Sequence, residues 1–165
     1  MSEVQLSTPA TLASPELLAM SRRHAPSALH TCLIVSTSPR RAQLLVRAAH
    51  EEHWATLLCT NADDALRQSV LHRVHLALVD LQSAAVEQER SLRTLVERLA
   101  SRDGPLLAVC GKPDDATGEV WSRQLGVWMY LPGVDNQSDI ALLCSEARNI
   151  LDKLKGRAQQ TAQTV

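Results

Sequence analysis

The sequence predicts an α/β fold, a doubly wound sandwich in which helices cover both faces of a five-stranded parallel sheet. Five short apolar runs alternate strictly with five amphipathic stretches, which is the pattern of parallel strands joined by right-handed helical crossovers. The third apolar run, His75-Leu76-Ala77-Leu78-Val79, leads directly into Asp80. Because ligands of such sheets bind beyond the carboxyl ends of the strands, Asp80 is the first candidate for a functional residue.

The first half of the fold is predicted as strand, helix, strand, helix, strand. Apolar runs place strands at 32–35, 54–59 and 74–80. Ser38 and Pro39 predict the start of a helix that ends near residue 52, and Asn61 predicts the cap of a helix that ends near residue 73. Residues at helical spacing are expected to face inward: Leu44, Leu45, Ala48, Ala49, Ala62, Ala65, Leu66 and Val70.

The second half continues the alternation. A helix at 87–101 precedes a turn at Gly104-Pro105 and a strand at 106–110. A helix at 113–125 ends before Gly126, a strand follows at 127–131, and a last helix is predicted at 136–155. The residues expected to face inward are Leu92, Leu95, Val96, Leu99, Ile140, Leu143, Ala147, Ile150, Leu151 and Leu154.

Composition is that of one globular domain. The 165 residues are 45% apolar and 21% charged, with a formal net charge of -1, so a nucleic-acid partner is not expected. No apolar segment reaches the roughly 18 residues of a membrane span, and no signal-peptide pattern opens the chain. These observations predict a cytoplasmic protein with no membrane partner.

Cysteines and histidines do not form a recognisable metal or disulfide pattern. The cysteines are widely spaced and are expected to be reduced, buried thiols: Cys32, Cys59, Cys110 and Cys144. The histidine pairs lie near predicted helix ends, where an imidazole interacts well with the helix dipole: His50 with His53, and His72 with His75. A capping role is therefore expected in preference to a metal site.

Three segments are predicted along the chain. Residues 1–28, rich in Ser, Thr, Ala and Pro, form a mobile leader, 29–155 form the domain, and 156–165 form a flexible tail. Within the leader, Ser14-Pro15-Glu16 resembles a helix start, and an apolar stripe follows at Leu17, Leu18 and Met20. A short helix that docks on the domain or on a partner is one prediction for this stretch, and a mostly mobile leader is the other.

Residues 31–154 resemble the receiver domain of two-component response regulators. Leu78-Val79-Asp80-Leu81 looks like the strand and phosphoacceptor aspartate of that family, and the stretch from Pro105 to Gly111 looks like its fourth strand. The stretch from Leu125 to Gly133 resembles its fifth strand and the preceding helix end. The resemblance implies the receiver, or flavodoxin-like, strand order 2-1-3-4-5 and a role in signal transduction. Dinucleotide and P-loop glycine motifs are absent from the sequence.

The chemistry-bearing positions of the family are mostly replaced. Ser36 and Thr37 stand where receivers have the two acids that hold magnesium, Cys110 stands for the hydroxyl residue of the fourth strand, and Gly133 stands for the lysine. Only Asp80 remains. Two alternatives are open for Asp80: it is vestigial and held by bonds from Ser36, Thr37 or backbone N–H groups, or it is an unusual phosphoacceptor.

The first hypothesis is a stand-alone pseudo-receiver that is not an enzyme and needs no cofactor. The short flanking segments are expected to carry no output domain, so the chain would act through another signalling protein or a second copy of itself. The fourth helix, fifth strand and last helix are the predicted interaction face, because Trp and Tyr are favoured as interface anchors. The aromatic residues there are Trp121, Trp128 and Tyr130.

Two alternatives stay open. The first is a working phospho-receiver of a phosphorelay, in which Asp80 is phosphorylated with magnesium and Lys112, Asp114 or Asp115 supplies the missing charge. The second is a flavodoxin-like binder of a small molecule, which rests on fold analogy.

Overall fold

A five-stranded parallel sheet in the order β2-β1-β3-β4-β5 organises the chain. The computed structural model describes residues 29–101 and 103–162. The elements alternate as the sequence predicts: β1 (Thr31–Val35), α1 (Pro39–Glu51), β2 (Ala55–Cys59), α2 (Ala62–Leu71), β3 (Leu76–Asp80), α3 (Val86–Leu99), β4 (Leu106–Gly111), α4 (Ala116–Gln124), β5 (Met129–Pro132) and α5 (Gln137–Ala162). The predicted fold class and strand order are confirmed.

Local side chains account for the helix starts. Ser38 caps α1 by accepting the Arg41 backbone N–H at 3.4 Å, and Asn61 caps α2 by accepting the Asp64 N–H at 2.8 Å. The helix α4 begins later than the predicted residue 113, because Asp115 is its cap and accepts the Gly118 N–H at 2.8 Å. Both caps predicted from the sequence are confirmed.

The core consists of two layers, one on each face of the sheet. The first cluster lies between the sheet and helices α1 and α5, and includes Ile34 and Leu78. The second cluster lies between the sheet and α2, α3 and α4, and includes Val35 and Val79. Every residue of β3 is buried, as expected of a central parallel strand with both faces covered.

The cysteines agree with the sequence prediction, and the histidines agree with it in part. The cysteines are all buried and free, as predicted: Cys32, Cys59, Cys110 and Cys144. His50 lies in the last turn of α1 and His72 follows the end of α2, whereas the Nδ1 atom of His75 accepts the Thr31 backbone N–H at 3.0 Å. Within residues 29–101 and 103–162, no group of three His, Cys, Asp or Glu side chains is arranged to hold a metal ion.

Two helix faces differ from the prediction. Val70 is 80% exposed and Ala65 is the buried residue of α2, which ends at Leu71 instead of near residue 73. Leu154 is 53% exposed, and α5 continues to Ala162 instead of ending near residue 155. The extension is rich in Arg, Ala and Gln, which are good helix formers, and the single Gly156 does not end the helix. A flexible tail at 156–165 stays a prediction.

The leader at 1–28, including the short helix predicted after Ser14, lies outside the described residues. Across the part of the chain that the structure describes, none of the helices combines the length and apolar character required to cross a membrane.

Candidate functional site

Asp80 is the last residue of the central strand, and its side chain is completely buried at 0% exposure. The Ser36 hydroxyl, which follows β1, donates to its Oδ2 atom at 2.8 Å. The Gln82 backbone N–H donates to its Oδ1 atom at 3.2 Å. The bonds from Ser36 and from a backbone N–H that a structural role of Asp80 predicts are therefore present.

An arginine that the sequence reasoning missed completes the site. Arg41, in the first turn of α1, donates from Nε to the Oδ1 atom of Asp80 at 3.1 Å, and both side chains are buried. Its Nη1 atom donates to the Val134 carbonyl at 2.8 Å and lies 3.3 Å from the Asp135 carboxylate. The guanidinium thus joins the end of β3 to α1 and to the loop between β5 and α5.

The residues around Asp80 do not fit a magnesium ion. Magnesium takes hard oxygen ligands, usually one or two of them carboxylates. Here Ser36 already donates to Asp80, the Thr37 hydroxyl donates to the Ser83 carbonyl at 3.5 Å, and the second carboxylate, Asp135, pairs with Arg41 at 3.3 Å. Thr37 therefore does not bond to Asp80, in contrast to the expectation for that residue. The Arg41 cation lies against the carboxylate and would repel a second cation there.

Cys110 and Gly133, which stand where receivers have a hydroxyl residue and a lysine, carry no group that could bind a phosphoryl group by charge. Burial raises the pKa of the Cys110 thiol to about 12, and the charge of nearby Asp80 adds to the shift, so the thiol is neutral at physiological pH. Gly133 has a φ of 63°, and a Cβ atom there would press on the ring of Pro113. The backbone at this point favours glycine over any residue that carries a Cβ atom.

Lys112 and Asp115, two of the possible substitute charges that follow β4, form ion pairs with α3. Lys112 Nζ lies 3.1 Å from Glu89, and Asp115 lies 3.3 Å from Arg93, which also pairs with Glu89. Burial alone would raise the pKa of Glu89, but its hydrogen bonds to Arg93 and Lys112 lower it below the usual value. Asp114 is exposed. A role for these residues in chemistry at Asp80 stays a prediction.

The three aromatic residues of the predicted interaction face divide between the two faces of the sheet. Trp121 and Tyr130 pack against the second cluster, and Trp128 packs against the first. The guanidinium of Arg93 lies 4.4 Å from the centre of the Trp121 ring. Each ring is half-buried, so all three contribute to the packing of the core.

Tyr130 occupies space that a glycine leaves open. A Cβ atom at Gly111 would overlap the Tyr130 hydroxyl. This hydroxyl is buried and has no hydrogen-bond partner in the described part of the chain. Burial raises the pKa of Tyr130, and the nearby carboxylate of Asp115 raises it further.

Comparisons with known proteins match this geometry at the level of the fold. The signal receiver domain of an HD-domain protein from Pseudomonas fluorescens Pf-5 superposes with a TM-score of 0.64 at 13% identity, over 76% of this chain and 98% of that one. A response regulator from Thermotoga maritima gives 0.61 at 18% identity, over 72% and 97% of the two chains. The fold is that of a response-regulator receiver domain.

An orphan response regulator of H. pylori has the same receiver fold, with a TM-score of 0.58 at 12% identity over 73% of this chain and 94% of that one. No protein-family model matches the sequence, and no curated protein matches it. At these identities the similarity concerns the fold, so the chemistry of the site has to be argued from its own residues.

One sequence signal could have identified Arg41. The first turn of α1 contains Arg40 and Arg41 and no acidic residue, although the positive end of the helix dipole disfavours cations there. A basic pair at that place indicates an anionic partner. The partner is Asp80, which the sequence places at the same edge of the sheet.

Replacement of Arg41 by methionine should lower the free energy of unfolding by about 3–5 kcal/mol, because it leaves the buried Asp80 carboxylate without its cation. Chemical denaturation of the full chain measures the change. The matched control is Arg40→Met at the exposed neighbouring position, where a change within about 0.5 kcal/mol is expected. Equal losses in the two variants would contradict the proposed importance of the ion pair.

Replacement of Gly111 by alanine should move the Tyr130 side chain towards solvent and lower its pKa towards the usual value of about 10. Because Tyr130 is the only tyrosine of the chain, its ionisation can be followed by tyrosinate absorbance against pH, with circular dichroism to confirm folding. Gly156→Ala is the control, since a Cβ atom there meets nothing within 4 Å. An unchanged titration in Gly111→Ala would show that the ring does not depend on this glycine.

Proposed function

We propose that this protein is a pseudo-receiver, a non-catalytic signalling module that acts by binding another protein and not by accepting a phosphoryl group. The observation that carries the proposal is the buried ion pair between Arg41 and Asp80. In a phosphorylated receiver, a metal would neutralise the charge between the acceptor carboxylate and the donor phosphate. Here a guanidinium of the same chain supplies a permanent positive charge beside the carboxylate.

The hydrogen bonds of Asp80 argue against its use as a nucleophile. Its Oδ1 atom accepts from Arg41 and Gln82, and its Oδ2 atom accepts from Ser36. Attack on a phosphate would require one of these oxygens to leave its donors and reach solvent from a fully buried position. Exposing or unpairing a buried charge costs several kcal/mol, so the ground state opposes the reaction.

The receiver fold supports the proposed signalling role, and we propose that binding occurs at the face formed by α4, β5 and α5. Each of these elements carries an exposed apolar side chain that the sequence reasoning missed: Val120, Met129 and Leu142. The strand β5 is also an edge of the sheet, with one side unpaired. We propose a protein partner for this face, either another signalling protein or a second copy of the chain.

Other parts of the hypothesis remain proposals. The free cysteines are compatible with a reducing compartment, so we place the protein in the cytoplasm. We propose no cofactor. A rearranged phospho-receiver would need Lys112, Asp114 or Asp115 to act on Asp80, and it is the alternative against which the proposal is tested.

Incubation with acetyl phosphate and magnesium should add no phosphoryl group to the chain, because Asp80 lacks both a metal site and a free oxygen. Intact-mass spectrometry measures the adduct, and an active receiver domain treated in parallel verifies the reagents. Magnesium alone should leave the melting temperature unchanged, since a ligand stabilises a protein only by binding its folded state. A phosphoryl adduct that disappears in a folded Asp80→Asn variant would establish the phospho-receiver instead.

If a second copy binds the α4-β5-α5 face, sedimentation velocity should show self-association that increases with concentration. Leu142→Glu should weaken it at least tenfold, because a carboxylate would be buried against apolar side chains. Val70→Glu, at an exposed apolar position of α2, is the matched control and should leave association unchanged. A wild-type chain that stays monomeric at every concentration would rule out the homodimer.

A further inference from the structure

An apolar groove lies between helix α1 and strand β2, with a volume of about 490 Å³. Its apolar lining is contributed by Pro39, Ala42 and Val46 of the helix and Leu58 of the strand. Leu58 is 50% exposed although it belongs to the sheet. We call this feature the α1–β2 groove.

The groove is the uncovered part of one sheet face. Leu58 is paired in register with Ile34 of β1, so the two side chains lie on the same face. Ile34 is buried under α1 and α5. The sheet continues outward past α1 to Leu58 of β2, which is half exposed. An apolar segment laid beside α1 would bury Leu58 and the outer side of Val46.

The chain itself contains a segment of suitable chemistry. The leader segment, residues 14–20, lies outside the described residues and reads Ser-Pro-Glu-Leu-Leu-Ala-Met. The sequence predicts a short helix start there, followed by the apolar side chains of Leu17, Leu18 and Met20. The groove also carries a cation, Arg47, which is complementary to Glu16 of the leader segment.

The connection is long enough to reach the groove. Eight residues, 21–28, separate the leader segment from Leu29, where the described chain begins, and they can span about 26–29 Å. The five residues of β1 rise about 16 Å, and β1 is the direct neighbour of β2. The connection can therefore place the leader segment at any height along the groove.

We propose that the leader segment binds in the α1–β2 groove of its own chain, with Leu17 and Leu18 against Leu58 and Val46 and with Glu16 near Arg47. A helix this short is marginal in water, but attachment to the domain gives it a high effective concentration at the groove. Ser36, which holds Asp80, lines one end of the groove. The bound leader segment would therefore lie beside the Asp80 site, whether or not Asp80 is ever phosphorylated.

Two-dimensional ¹H–¹⁵N NMR of the full chain tests the proposal. The double variant Leu17→Glu/Leu18→Glu should shift the amide signals of Val46, Arg47, Leu58 and Thr60, because their covering segment is lost. Leu12→Glu, a leucine of the leader outside the segment, is the control and should leave these signals in place. Unshifted groove signals in the double variant would overturn the proposal.

The same kind of spectrum distinguishes binding within one chain from binding between two copies. Intramolecular binding requires groove shifts that do not change with protein concentration, so a concentration dependence would assign the groove to a second copy and reject the proposal.

The contact between Glu16 and Arg47 is tested by exchanging the two charges. Glu16→Lys and Arg47→Glu should each shift the groove signals, and the double exchange should restore them, whereas additive shifts would reject the Glu16–Arg47 contact.

Discussion

The buried ion pair between Arg41 and Asp80 is the interaction on which the described site depends. It joins the carboxyl end of the central strand to the first turn of α1, and through the Val134 carbonyl it also holds the loop between β5 and α5. A lone carboxylate at 0% exposure would carry a large desolvation cost. The guanidinium, the Ser36 hydroxyl and the Gln82 N–H offset that cost together.

This arrangement is the basis for proposing a receiver fold without the phosphoryl-transfer chemistry of receivers. Ser36 and Thr37 follow β1 in place of two acids, so this loop brings no carboxylate to hold a divalent ion, and the Arg41 cation is the counter-charge of Asp80. Cys110 and Gly133 then need not contact a phosphoryl group. One is a neutral, buried thiol, and the other allows the backbone to pass close to Pro113.

The proposed pseudo-receiver acts through its surface, because Arg41 already neutralises Asp80. The aromatic rings near β5 are used largely for packing, with Tyr130 lying over Gly111 and Trp121 under Arg93. Exposed apolar side chains near the two edges of the sheet include Val120, Met129 and Leu142 at one edge and Leu58 at the other. The two edges thus offer separate binding surfaces, one proposed for a partner and one for the leader segment.

The sequence by itself determined the alternation of elements, the caps at Ser38 and Asn61, and the position of Asp80 at the end of a buried strand. These features depend on residues close together in the chain, where periodicity and capping chemistry can be recognised directly. The resemblance to receiver domains further implied that Ser36 and Thr37 stand where that family has two acids.

Only the tertiary structure decided what neutralises Asp80, because Arg41 lies 39 residues away in the sequence and meets it through the packing of α1 on the sheet. It also divided the aromatic residues between two faces and left Val70 in solvent. Helical spacing identifies one apolar stripe, but the extent of its burial depends on the neighbouring elements that cover it. That cover is a property of the assembled fold and is not encoded in any single segment.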